Sequence, residues 1–140
     1  MKVVSIFSLV IVICAGAYFY QRCKPVWQFD HLENNARKVI TGPELQKWAT
    51  NLLAQCPKET SFKVQELGTN FPKQLLGLAP ELGPNIFVHV YDDTNSPPYV
   101  QLYWGSGFLG ATGFYLGTTN FIASGSNHVW IPGVYFYRLL

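Results

Sequence analysis

The apolar residues follow three patterns along the chain, and the first of them is a continuous run at the N-terminus. From Val3 to Tyr20 the chain carries no charge, and Ser5 and Ser8 are its clearly polar members. At about 1.5 Å per residue, a helix of this length reaches roughly 27 Å, close to the thickness of the bilayer hydrocarbon. Because a backbone in lipid must satisfy its own hydrogen bonds, the run predicts a transmembrane helix.

The second pattern is helical periodicity, which follows the apolar run. Asp30 and Glu33 resemble a capping box and predict a short helix over 31–39. A stronger signal predicts a helix over 43–55, since Thr41 and Glu44 form a Thr-x-x-Glu box ahead of apolar residues spaced three and four apart.

The third pattern is alternation, which dominates the second half of the chain and predicts strands. The predicted strands cover 61–67, 86–91, 99–104, 114–116 and 129–137. The connections between them are short, which favours antiparallel pairing. The predicted fold is therefore α+β: an N-terminal transmembrane helix followed by a small domain with two helices packed on an antiparallel sheet of four or five strands.

Length and charge indicate the domain organisation and argue against one class of partner. We divide the chain into residues 1–24, a membrane anchor or signal peptide, and residues 25–140, a single globular domain. That domain has seven basic and eight acidic residues, so the net charge of +2 belongs to the N-terminal segment. Without a clustered basic face, we expect no nucleic-acid partner.

Two interpretations of the N-terminal segment differ in whether the mature protein keeps it. Lys2, the apolar core and the small residues up to Ala17 fit a secretory signal cleaved before Tyr18, which would release a secreted binding domain. Aromatic residues 18–20 followed by Arg22 and Lys24 instead fit an anchor at the membrane interface, which we favour. Basic residues flank both ends of the segment, and their count slightly favours a cytoplasmic domain. The C-terminal half has little charge and many Tyr, Asn, Gly and Pro residues, which favours an extracytoplasmic domain, and this is the orientation we expect.

Cysteine chemistry offers one candidate disulfide. Cys14 lies within the apolar segment, which leaves Cys23 and Cys56 as a possible pair in an oxidising compartment. Spacing alone cannot establish that their Cα atoms come close enough to bond.

The glycine-rich segment from Gly105 to Gly113 is the candidate for catalytic or nucleotide chemistry. Its G-x-G-x-x-G pattern leads into a predicted strand and no acidic residue follows it, which argues against a dinucleotide site. An envelope hydrolase or transferase at this hairpin is the alternative function, and its residues would be Ser106, His128, Asp92 and Asp93. The scattered histidines and acids predict neither a metal site nor a cofactor.

Aromatic residues are concentrated in the last strands and predict a binding surface. We expect an aromatic platform formed by Tyr99, Tyr103, Trp104, Tyr115, Tyr135 and Tyr137. Such a surface suits a protein or glycan partner, because rings give a large contact area at a small entropy cost. The competing interpretation is that both faces of the sheet are covered. The sequence as a whole favours a non-enzymatic binding module that Val3 to Tyr20 attach to the lipid bilayer at the membrane or cell envelope.

Overall fold

A computed structural model describes residues 2–56, 59–82, 85–92, 94–105, 111–125 and 128–138. For residues 2–8, 21–28 and Glu81 the description covers the backbone alone. Within these residues the fold is α+β, with helices packed on a six-stranded antiparallel sheet. The predicted fold class is confirmed, whereas the division of the chain at residue 24 stays a prediction.

Two long helices precede the sheet. The first, α1 (Lys2–Val39), is continuous, so it runs through Asp30 and the predicted helix start there is wrong. The second, α2 (Gly42–Gln55), begins as predicted. The Glu44 amide donates to Thr41 Oγ1 at 3.4 Å, and the Thr41 amide donates to the Glu44 carboxylate at 2.9 Å. Hydrogen bonds from Thr41 also lower the pKa of Glu44.

No helix in the described part of the chain is long and apolar enough to cross a membrane. The structure therefore gives no support to the transmembrane helix that the sequence predicts.

The strands form one sheet in the order β1-β2-β3-β4-β6-β5. Their bounds are β1 Thr60–Lys63, β2 Ile86–Tyr91, β3 Tyr99–Trp104, β4 Thr112–Gly117, β5 His128–Ile131 and β6 Val134–Arg138. The short helix α3 (Val64–Leu67) and single 3-10 turns at Gly68–Asn70, Lys73–Leu75 and Pro80–Leu82 connect β1 to β2.

Two strand boundaries differ from the prediction, each for a local reason. The predicted first strand over 61–67 ends at Lys63, because its amide donates to the Glu66 carboxylate at 2.9 Å and starts α3. The predicted last strand over 129–137 is a hairpin, because Gly133 adopts a positive φ of 87° and reverses the chain between β5 and β6. This split raises the predicted four or five strands to six.

The hydrophobic core lies between the helices and one face of the sheet, which we call the covered face. The apolar residues that the sequence places on one side of β2 and β3 are all buried there, and register aligns them with Phe114 of β4 and Phe136 of β6. The helices contribute Phe29, Leu32, Ala36, Ile40, Leu45, Ala49 and Leu52. Burying a side chain of this size stabilises the fold by about 1.5–3 kcal/mol.

Candidate functional site

The opposite side of the sheet carries aromatic and polar residues, and we call it the aromatic face. It consists of Phe87, His89 and Tyr91 of β2, Tyr99, Gln101 and Tyr103 of β3, Tyr115 of β4, and Tyr135 and Tyr137 of β6. Six of these nine side chains are half-buried, whereas Gln101, Tyr135 and Tyr137 are buried. In the described residues the two long helices pack on the covered face, so the aromatic face keeps part of its ring surface accessible.

Strand register arranges the rings of this face in rows across the strands. In one row Tyr99 lies between Tyr91, with centroids 4.7 Å apart, and Phe121, 4.6 Å apart, and both pairs are stacked. Phe121 comes from the loop after β4 and lies over Gly117, where a Cβ atom would approach the Phe121 side chain to 2.5 Å. A glycine at position 117 is therefore what allows Phe121 to complete the row.

Two further pairs of rings on this face are also stacked. Phe87 stacks on Tyr103 at 5.2 Å, and Tyr115 stacks on Tyr137 at 4.2 Å. Stacking covers one face of each ring in these two pairs and holds the rings in a fixed orientation across the strands.

A buried hydrogen-bond network fixes the centre of the aromatic face. The Tyr91 hydroxyl donates to Gln101 Oε1 at 3.0 Å, and Gln101 Nε2 donates to the Tyr137 hydroxyl at 2.7 Å. Burial raises the pKa of Tyr91, Tyr115 and Tyr137, most strongly at Tyr137. These phenols are therefore neutral hydrogen-bonding groups at physiological pH.

The structure brings five of the six predicted platform residues to one face. Tyr99, Tyr103 and Tyr115 are half-buried there, and Tyr135 and Tyr137 are buried beside them. The sixth, Trp104, points to the other side of β3 and is 1% exposed in the core under the helices. Its assignment to the platform is therefore wrong.

One end of the aromatic face opens into a shallow concavity of about 280 Å³. Tyr99, Tyr115 and Phe121 form one part of its wall. Ser96, Ile122, Ala123 and Ser124 complete the lining. Ile122 is 81% exposed, so an apolar side chain stands at the rim of this concavity.

The hairpin predicted as the alternative catalytic site is only partly described. Ser106 and Asp93 lie outside the described residues, and Asp92 is exposed. His128 belongs to another part of the molecule, because its Nδ1 atom lies 3.0 Å from the Glu33 carboxylate of α1 and its ring packs on Phe29. After Gly105 and the undescribed residues 106–110 the chain enters β4, whereas a dinucleotide site needs a helix there.

The cysteines and the possible metal ligands add no second site among the described residues. Cys56 is half-buried and the side chain of Cys23 lies outside the description, so their disulfide stays a prediction. Within the described ranges, no group of three or more His, Cys, Asp or Glu residues could hold a metal ion.

Sequence reasoning missed a polar cluster at the β1 edge of the aromatic face. The Ser61 hydroxyl is hydrogen-bonded to His89 Nδ1, and His89 Nε2 lies 3.1 Å from the Glu59 carboxylate. These residues are separated by 28 and 30 positions along the chain. Strand alternation placed His89 on this side of the sheet, but no sequence signal gives the pairing register that brings Ser61 opposite it.

The N-terminal half of α1 differs from the half that contributes to the core. Every described side chain from Leu9 to Tyr20 is exposed, including Ile11 at 61% and Phe19 at 70%. By contrast, Phe29, Leu32 and Ala36 are buried at helical spacing against the sheet. The helix thus carries an apolar segment without a covering element among the described residues.

Comparison with known proteins identifies no relative. No protein-family model, no curated protein and no solved structure matches this chain.

Proposed function

We propose that this protein is a membrane-anchored interaction module whose aromatic face receives a protein partner. The observation that carries the proposal is the sidedness of the sheet: helices cover one face, and half-buried tyrosine and phenylalanine rings line the other. Tyrosine and other aromatic residues are enriched at protein contact sites, so a face lined with them supports a role in binding.

Ring geometry favours a protein partner over a glycan. A sugar stacks on a free ring face, but Tyr99 is stacked against both Tyr91 and Phe121, and one face of Tyr115 is taken up by Tyr137. Half-buried rings with phenolic hydroxyls suit the mixed apolar and hydrogen-bonding surface of a polypeptide. The low charge of the face is consistent with burial at the centre of an interface, where charged residues are depleted.

Membrane attachment is the second part of the proposal and rests on the N-terminal segment. Val3 to Tyr20 lack charge, and the described side chains from Leu9 onward within it are exposed. Leaving so many apolar side chains in water would cost about 25 cal/mol per Å² of apolar surface, and lipid would remove this cost. Tyr18 to Tyr20, followed by Arg22 and Lys24, would lie at the headgroup level of the bilayer. The low charge of the C-terminal half, where Arg138 is the one charged residue after Asp93, supports an extracytoplasmic position for the globular domain.

Hydroxyl-radical footprinting in the native membrane tests the binding face for any protein partner present there. The full chain is labelled in its native membrane and again after purification in a nonionic detergent, and oxidation is read residue by residue by mass spectrometry. We expect Tyr103 and Tyr115 to be several-fold less oxidised in the membrane, with Leu76, exposed on a distant turn, as the internal reference. Equal oxidation of the tyrosines in both preparations would contradict the proposal.

Two follow-up measurements define the partner class. The substitution Tyr103→Arg should abolish the protection of Tyr115, whereas Lys47→Arg on the exposed surface of α2 should leave it intact. The purified chain should not bind an array of immobilised oligosaccharides. Array binding that Tyr103→Ala removes would replace the protein partner with a glycan.

Vesicle flotation tests the anchor independently. The full chain should float with phosphatidylcholine vesicles, and the double substitution Ile11→Lys and Ile13→Lys should leave it in the pellet, because each charge costs about 2.5–3.5 kcal/mol at the membrane centre. The control variant Thr118→Lys and Thr119→Lys adds the same charge on an exposed loop and should float. Flotation of the Ile11 and Ile13 variant would disprove insertion of this segment.

A further inference from the structure

The cluster at the β1 edge has the connectivity of a hydroxyl nucleophile, a base and an orienting carboxylate. Ser61 and His89 are direct cross-strand partners, and the Glu59 carboxylate lies 3.1 Å from Nε2, the imidazole nitrogen that does not contact Ser61. Such sets are recognised by geometry and role rather than by sequence order.

The hydrogen bonds determine which imidazole nitrogen carries the proton. An ionised carboxylate only accepts hydrogen bonds, so the contact with Glu59 calls for a proton on Nε2 of His89. When Nε2 carries the single ring proton, Nδ1 is the acceptor and takes the hydrogen bond from the Ser61 hydroxyl. This is the tautomer required for His89 to remove the Ser61 proton.

Strand geometry brings the two side chains together and leaves the nucleophile accessible. The Lys63 amide donates to Glu66 instead of to β2, so amides of alternate residues, including that of Ser61, point away from β2. Ser61 and His89 therefore form a non-hydrogen-bonded backbone pair, in which opposed side chains are closest. Ser61 is exposed, and β1 has no second neighbour strand among the described residues, so an amide that points away from β2 can donate to an oxyanion there.

We propose that Ser61, His89 and Glu59 form an acyl-transfer site that hydrolyses small carboxylic esters. Ser61 Oγ attacks the ester carbonyl carbon while its proton passes to His89, and the alcohol leaves with that proton to give an acyl-Ser61 ester. Water then attacks this ester, with His89 again taking and returning the proton, and releases the carboxylic acid. Glu59 acts as a positioning residue that orients the imidazole and stabilises its protonated form.

The surroundings define an aryl or otherwise apolar ester as the substrate class. The His89 ring lies 4.0 Å from the Tyr91 ring, which continues into the stacked row of Tyr99. An apolar alcohol or acyl group can pack along these rings while its carbonyl lies beside Ser61. This activity goes beyond the proposed interaction role and does not depend on it.

The first test is covalent labelling of the full chain in nonionic detergent with an alkyl fluorophosphonate. We expect one adduct by intact mass, located on Ser61 by peptide mapping and absent in His89→Gln. Folding of each variant is checked by its thermal midpoint. Absence of an adduct on the folded wild-type chain, or an adduct on Ser106 or another serine, would overturn the proposal.

Hydrolysis of p-nitrophenyl acetate measures the reaction itself. Ser61→Ala and His89→Gln should each lower the rate at least about tenfold, since a positioned base contributes about 10²–10⁴. The control Thr69→Ala removes an exposed hydroxyl elsewhere and should retain the full rate. Equal rates for Ser61→Ala and the wild type would refute a nucleophilic role for Ser61.

The role of Glu59 is separated from a merely structural one by a conservative pair of variants. Glu59→Gln should lower kcat with KM unchanged, and Glu59→Asp should recover part of the loss because it restores a carboxylate acceptor. An identical kcat for Gln, Asp and the wild type would remove Glu59 from the site.

Discussion

The two faces of the sheet use neighbouring residues of the same strands for different purposes. Phe114 and Tyr115 are adjacent in β4, yet Phe114 is fully buried under the helices while Tyr115 is half-buried on the aromatic face. The covered face is filled mainly by aliphatic side chains, together with the buried rings of Trp104, Phe114 and Phe136. The aromatic face is held by stacked ring pairs and a chain of hydroxyl and amide hydrogen bonds.

This difference shows where the fold gains stability and where it can accommodate a ligand. Removing volume from a close-packed apolar core lowers the free energy of unfolding, because the surrounding residues relax only partly into the cavity. Truncating a stacked, half-buried ring should lower the free energy of unfolding by less, because solvent can occupy the space that the ring leaves. We therefore expect the covered face to determine stability and the aromatic face to tolerate the substitutions that change binding.

The largest expected effect comes from truncating the two neighbours in β4. Phe114→Ala should lower the free energy of unfolding by about 3–5 kcal/mol. Tyr115→Ala should cost about half as much or less, because its ring is already partly in water. Urea unfolding of the full chain in detergent, followed by tryptophan fluorescence, measures both values. Equal losses would mean that the two faces are packed alike.

The next effect concerns the amide at the centre of the aromatic face. Gln101→Ala should lower stability by about 1–3 kcal/mol, because it leaves the buried Tyr137 hydroxyl without the Nε2 donor. Gln65→Ala, which removes an exposed amide on α3, is the matched control and should be near neutral. A neutral Gln101 variant would show that the network adds nothing to the face.

Alkaline pH distinguishes the faces through tyrosine ionisation. Burial raises the pKa of Tyr137 in the folded state, so the unfolded chain loses this proton first. Stability is therefore complete below the unfolded tyrosine pKa of about 10 and falls above it, by up to about 1.4 kcal/mol per pH unit for this group. Urea midpoints measured at pH 9, 10 and 11 should decline less steeply in Tyr137→Phe. Parallel declines in both proteins would rule out Tyr137 as the source.

The sequence predicted the parts of the molecule that depend on local pattern. Alternation in β2 and β3 identified the covered face, and the Thr41 and Glu44 box identified the start of α2. Trp104 was wrongly assigned to the platform because it is aromatic. Its alternation with Val100 and Leu102 already predicted that it faces the core.

The features that the sequence could not give depend on long-range register. The contact of Ser61 with His89 follows from the pairing of β1 with β2, which nothing in either strand specifies. The row of Tyr91, Tyr99 and Phe121 needs a loop residue to lie over Gly117. Alternation specifies the face of each residue, but tertiary pairing specifies its neighbour.

The smallest effect tests whether weakening the covering helix leaves the aromatic face unchanged. Thr41→Ala removes the hydroxyl that accepts from the Glu44 amide, so it should destabilise the protein by about 1 kcal/mol. Thr69→Ala, an exposed threonine outside the long helices, should change stability by less than about 0.5 kcal/mol. Because α2 packs on the covered face, radical footprinting of Tyr103 and Tyr115 in the folded Thr41 variant should match the wild type. Increased oxidation of these tyrosines would mean that the helix layer also sets the geometry of the aromatic face, and the two faces would then have to be treated as one coupled unit.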